Sequence, residues 1–345
     1  MTRRGHRWMI AAVPVALLAL VLGLLSTGAA RAGMLVDPGA LVRWGLPVAT
    51  VLVRAAATVT IGAFAVAALV LAGPVPGTAK GARVRIGTVA APSPDEGTAK
   101  GARVRTGTAA APSPAWRATV RIGTVAALVW VIVQVTFVVF TYASVWGRSP
   151  AEATFGDELW FFLTRTELGL TLGWEMVFAV VVSLCAVATS GMVMALWTAI
   201  LGAIALVPVA LTGHAAGAEA HNLAVSSQWL HLVPLAMWAG GLAVLVAVYR
   251  LLGGELTRAA TRYSGLAVWT FALVGLSGVF ASVIRLQSPA DLVLHPYGRL
   301  LLVKIVLFSA LGWAGWLHRN RTIPQLGERP GLFLRLATVE VVVMG

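Results

Sequence analysis

Apolar residues along this chain fall in long unbroken runs, and the lengths of those runs set the first expectation. Runs near 8 to 30, 46 to 72, 122 to 143, 168 to 189, 192 to 212, 224 to 249, 263 to 284 and 299 to 317 each approach the ~20 residues that an α-helix needs to cross a bilayer, and a ninth begins near 336. The pattern predicts eight complete membrane-spanning helices and a truncated ninth. Strands of a membrane β-barrel would alternate apolar and polar positions, which these runs do not. Ser190 and Gly191 mark a tight hairpin between the fourth and fifth spans.

Composition agrees with the pattern. The chain is 59% hydrophobic and 11% charged, with a mean hydropathy of +0.86, well outside the range of soluble domains. The expected fold is an all-α, polytopic transmembrane helix bundle. Arg3, Arg4 and Arg7 ahead of the first run, with "TGAARA" after it, fit either a cleaved signal peptide or a retained helix. The run is long for a signal peptide, which favours a retained helix.

Charge adds orientation. With the N-terminus in the cytoplasm, the inside segments hold 18 of the 26 Lys and Arg, including eight from Lys80 to Arg121. The opposite side collects Asp37, Glu152, Asp157, Glu158, Glu167, Glu219 and Asp291. The net charge of +13 is therefore a topology signal, and no nucleic-acid partner is expected.

Three units are expected: 1–73 with two spans, a basic insert at 74–117, and the remaining spans in 118–345. Within the insert, "GTAKGARVRIGTVAAPSP" at 77–94 recurs as "GTAKGARVRTGTAAAPSP" at 97–114, and "VRIGTVAA" appears again at 120–127. Two copies rich in Gly, Ala, Pro and Thr have no apolar face to stack, so the expectation is a disordered cytoplasmic segment rather than a solenoid. A polybasic stretch of this kind is also attracted to anionic lipid. The phosphate-loop pattern GxxxxGK[ST] is absent, so no ATP chemistry is expected, and no catalytic constellation was found.

Candidate chemistry gathers on the acidic side. His214 and His221 are expected in the fifth external turn, His231 inside the sixth helix, and His295 in the last external loop, whereas His6 and His318 lie among cytoplasmic arginines. Asn222 is expected to cap the sixth helix. Ser227, Gln228 and His231 then share one face, and polar stripes in membrane helices rarely face lipid. Pro234 lacks the N–H that would bond Leu230 and predicts a kink just beyond His231. The plain reading makes His214 and His221 exposed loop residues and His231 a hydrogen-bonding partner of a neighbouring helix. The sharper reading is a metal path, because imidazole suits copper, zinc and nickel. Cys185 stands alone, and neither Met34 nor Met237 has ligand spacing. Glu175, roughly 10 Å inside its span, is expected either to pair with Arg54 or to relay an ion or proton. Lys304, placed about five residues into its helix, reads as a snorkelling anchor.

The run "GHAAGAEAHNLAVSSQWLHLVPLAMWAGGLAVL", then "RYSGLAVWTFALVGLSGVFAS", "YGRLLLVKIVLF" and "HRNR", resembles the copper resistance protein D family of the bacterial cytoplasmic membrane. The resemblance reaches back to "DPGALVRWGLPVATVL" at 37 and makes 118–345 the family's membrane domain. It implies ATP-independent movement of copper ion across that membrane, often with a periplasmic copper-binding protein of the copper resistance C type. Carried over by position, His214, His221 and His231 match the family's histidines, and Tyr297, Gly298, Arg299 and Lys304 match its "YGRxLxxK" signature. Asn222 stands where many relatives carry an acid, and His295, Gln228 and Glu175 are auxiliary candidates. Two rival readings remain: a haem-binding electron-transfer protein, which needs two facing imidazoles, and a copper-delivery factor for a cytochrome oxidase assembly module, to which some relatives are fused.

Overall fold

A computed structural model of the protein describes residues 38–71, 112–147, 154–211, 221–286, 288, 290–326 and 337. Apart from caps and turns those residues are helical, with no strand among them. Among the described residues, six helical segments are long and apolar enough to cross a membrane: Ala40–Val70, Pro114–Trp146, Glu167–Ala188, Met192–Leu211, Val225–Val283 and Tyr297–Thr322. The expected spans at 46, 122, 168, 192 and 299 each correspond to one of these. Those at 224 and 263 both fall within Val225–Val283, which doubles back at Gly253, where φ is +48°. The expected first span lies outside the described residues, as do the insert before residue 112 and the ninth span apart from Ala337. The last insert residues, 114–117, are helical and belong to the second described span, because Ser113 and Pro114 start that helix there. The chain is an all-α, multi-pass membrane helix bundle.

The organising element is α1 (Ala40–Ala65), which continues as a π-turn over Val66–Val70. From Ala56 onward it is rich in Ala and Gly, and almost every residue from Thr60 to Val70 is buried. Small side chains let neighbouring backbones approach, which is how helices associate where lipid removes most of the hydrophobic drive. A Cβ on Gly62 would collide with the backbone of Gly240 and Gly241, and one on Gly240 would strike the carbonyl of Thr58. The crossing exists because both positions are glycine.

The second helix, α2 (Pro114–Trp146), begins eight residues before its apolar run does. The reason is local: Ser113 caps it by accepting the Trp116 N–H at 3.2 Å, and Pro114 occupies the first turn, where no N–H is required. Trp116 also donates its indole N–H to the carbonyl of Ala67, fastening α2 to the π-turn of α1. The third "VRIGTVAA" copy is therefore membrane helix, and its Gly123 packs on Phe64.

An amphipathic helix that the apolar runs did not announce, α3 (Phe155–Arg165), precedes α4 (Glu167–Ala188). Its Phe162 is buried against Tyr142, whose hydroxyl donates to Glu158 at 2.7 Å. Hydroxyls join α4 to α2: Ser183 lies 2.8 Å from the carbonyl of Ala127, and Thr124 lies 3.1 Å from that of Ala186. The hairpin at Ser190-Gly191 leads into α5 (Met192–Ile204), which breaks before the short α6 (Val207–Leu211). Pro208 explains the break, since it cannot donate to Ile204. Trp229 donates to the carbonyl of Ala203 next to the break, at 2.8 Å.

Helix α7 (His221–Leu235) widens into a π-turn over Ala236–Gly240 and resumes as α8 (Gly241–Leu252). Beyond the turn at Gly253, α9 (Leu256–Arg285) runs back along α7. The short α10 (Asp291–Leu294) precedes α11 (Pro296–Leu317), which lies at the edge of the bundle with a largely exposed apolar surface.

Candidate functional site

The candidate histidines among the described residues do not converge on one point. His214 lies outside the described residues. His221 is already helical, so Asn222 lies inside α7 and does not cap it from outside. His221 therefore belongs to the helix and not to a loop, in line with the Ala-rich stretch it follows. Ten residues of α-helix separate His221 from His231, about 15 Å of rise and about 80° of rotation. Metal–imidazole bonds are ~2 Å long, so these two backbone positions cannot serve one ion together. His295 is exposed at the start of α11. Among the described residues, no three His, Cys, Asp or Glu side chains gather as a metal cluster.

His231 has a defined setting. Its Nδ1 lies 3.0 Å from the hydroxyl oxygen of Ser277 on α9. That hydroxyl donates its single proton to the carbonyl of Val274 at 2.9 Å. With the hydroxyl proton on Val274 the imidazole donates to Ser277 from Nδ1, one of the two tautomers this contact allows, and the ring also hydrogen-bonds the Val274 backbone. Ser227, 7% exposed, donates to the carbonyl of Ser277 at 3.1 Å, so two residues of the expected stripe meet the same point on α9. Gln228 is half-buried beside them. The sequence marked this face of α7 but not Ser277, which sits in a run of small residues, "GLSG", with nothing to set it apart.

Pro234 changes the helix beyond His231 rather than breaking it. The departure falls at Ala236–Gly240, where the π-turn leaves the Trp238 carbonyl directed at Tyr263, whose hydroxyl donates to it at 2.5 Å. A widened turn needs such a partner because its carbonyls lose the regular ladder.

Glu175 is 2% exposed on α4, and its Oε2 accepts from Nε2 of Gln134, which is fully buried on α2, at 2.9 Å. Arg54 of α1 lies within electrostatic reach of the same carboxylate. Three helices thus contribute one polar centre inside the bundle. Gln134 was legible in principle, as a lone amide within the apolar run of α2.

The YGR signature is a packing device. Gly298 lets α11 touch α10, since a Cβ there would collide with Asp291 and Leu292, and Arg299 donates to the carbonyl of Val293 at 3.1 Å. Tyr297 is half-buried. Because α11 begins at Pro296, Lys304 sits eight residues into it, about 12 Å, deeper than the five residues expected. It is exposed and within electrostatic reach of His231.

Comparison with known proteins supplies the relationship. A family model described as copper resistance protein D-like, N-terminal domain, matches residues 41–224, more than half of the chain, and one described as copper resistance protein D matches residues 257–345. The copper transport protein CutJ of Bacillus subtilis (strain 168) is 31% identical over 121 residues, a stretch that covers 33% of this chain and 22% of that relative. No solved structure matches. Two family models and the membrane-spanning helices lead to one statement: this chain is a multi-pass membrane protein belonging to the copper resistance protein D family.

Proposed function

We propose that the protein carries copper ions across the bacterial cytoplasmic membrane without ATP, acting as a carrier and not as an enzyme. The observation that supports this most is His231: a membrane-helix imidazole held through Nδ1 by Ser277, on the polar face of α7 that also carries Ser227. Second-neighbour hydrogen bonds of this kind fix the tautomer of metal-binding histidines. His214 and His221 would capture the ion at the external mouth and pass it by ligand exchange to His231, about 15 Å further along α7. Gln228 and His295 are auxiliary donors in this reading. Glu175, hydrogen-bonded by Gln134 and near Arg54, is read first as a pin between α1, α2 and α4 and second as a charge on the path.

The reading includes a cytoplasmic N-terminus, eight complete spans with a ninth begun, the insert from 74 to the start of α2 as a cytoplasmic segment between two membrane units, and a periplasmic copper-binding protein of the copper resistance C type as donor or acceptor. The name of the Bacillus subtilis relative, a copper transport protein, supports the cargo. A role in delivering copper to a cytochrome oxidase assembly module is the alternative. Purified protein in proteoliposomes separates the two: copper uptake that is lost in a His214/His221/His231 triple alanine variant supports transport. Metal binding without uptake supports delivery, and no copper binding rejects both.

A further inference from the structure

A second site lies away from the candidate metal histidines, where α9 near Ala260 and Tyr263 meets Arg319 of the π-turn that follows α11. Helices α9 and α11 are pinned together by Phe271 and Phe308, stacked at 4.0 Å between ring centroids, with Phe271 also set against Gly312. Beyond that pin they leave a groove of about 200 Å³, with Trp238 from the π-turn on its wall. Gly315 contributes to the opening, since a Cβ there would meet nothing within 4 Å. The groove is not sealed: Val268 and Trp316, which line it, are 50% and 56% exposed.

Its shape is that of an amphiphile. From Phe271 back to Ala260 the α9 wall runs eleven residues, about 16 Å, which is the depth of one leaflet of a ~30 Å hydrocarbon core. That length is almost wholly apolar, and it ends at His318 and Arg319. In a bilayer an apolar groove that opens sideways is filled by an acyl chain, and basic groups at its interfacial end select for anionic headgroups.

We propose that this groove binds one anionic phospholipid, with its acyl chain between α9 and α11 and its phosphate at Arg319. The site is independent of the copper reading, and its test needs no metal. Full-length protein is reconstituted in vesicles containing phosphatidylglycerol or phosphatidylcholine with brominated chains, and the Trp316 part of the fluorescence is obtained by difference from Trp316→Phe. Brominated phosphatidylglycerol should quench Trp316 at roughly fivefold lower mole fraction than brominated phosphatidylcholine, the effect of a single basic residue near a lipid surface. Arg319→Gln should abolish that preference, and Gly315→Leu, which fills the groove from open space, should weaken quenching by both lipids. Equal quenching by both lipids in the wild type overturns the headgroup assignment. A preference that survives both substitutions places the lipid elsewhere, and a Trp316 quenched by neither lipid means that another part of the chain closes the groove. Either result overturns the proposal.

Discussion

His231 and Ser277 meet across the α7–α9 contact at 3.0 Å, and the Ser277 hydroxyl is committed to Val274. The serine thereby holds the imidazole through Nδ1. Ser277→Ala should weaken copper binding about tenfold or more, the usual cost of losing a hydrogen bond that orients a metal ligand. Equilibrium dialysis against copper checks this, with helix content as the folding control. Ser277→Thr, which keeps the hydroxyl, should retain most of the affinity.

His231→Ala should abolish copper accumulation in intact cells while surface expression stays normal. His295→Ala should change accumulation little, because that residue is exposed outside the α7–α9 contact. Unchanged accumulation in the His231 variant would remove the inner step of the path.

Gln134 supplies a hydrogen bond to Glu175 in the interior of the bundle. Gln134→Leu should destabilise the protein by about 1–3 kcal/mol, the cost of removing a donor from a buried acceptor. Thermal unfolding in detergent measures this. Glu175→Gln, which keeps an acceptor oxygen facing the Gln134 amide, should cost less than Glu175→Ala.

The Gly240 position should tolerate no side chain. Gly240→Ala forces a methyl against the Thr58 carbonyl and should cost about 1–3 kcal/mol, whereas Gly315→Ala, in open space within a helix, should leave stability unchanged or raise it. A lower unfolding temperature for the first variant only is the expected result.

Tyr263→Phe leaves the π-turn intact in sequence but strips the donor from the Trp238 carbonyl. A loss of about 1–3 kcal/mol is expected. If the π-turn is what positions α7, copper binding should fall along with stability.

Much of this architecture could be read from hydropathy alone, because in a bilayer the backbone must satisfy its own hydrogen bonds, and a long apolar run has little choice but to be helix. Boundaries were less legible. Helix α2 starts early because Ser113 and Pro114 cap it, and α3 escaped notice because a half-polar helix carries no long apolar run. At the site, His231 and its stripe stood out as polar residues in apolar surroundings. Ser277 did not, since what makes it matter is a partner 46 residues distant in the chain, and Gln134, though a lone amide in an apolar run, gave no sign of its partner 41 residues away. Lys304 was placed too near its helix end because Pro296 starts α11 earlier than the apolar run does.

The Gly62–Gly240 crossing also bears on how the protein is made. Helix α1 is synthesised early, yet the glycines it seats against emerge some 180 residues later, roughly 10 to 40 s at ~5–20 residues per second. During that interval α1 is already in place at the insertion machinery with a bare glycine face and the Arg54 charge, and without its final neighbours. Substitutions at Gly62 or Gly240 therefore threaten the newborn chain first, lowering the amount of protein that survives in the membrane before any change in the finished molecule is felt.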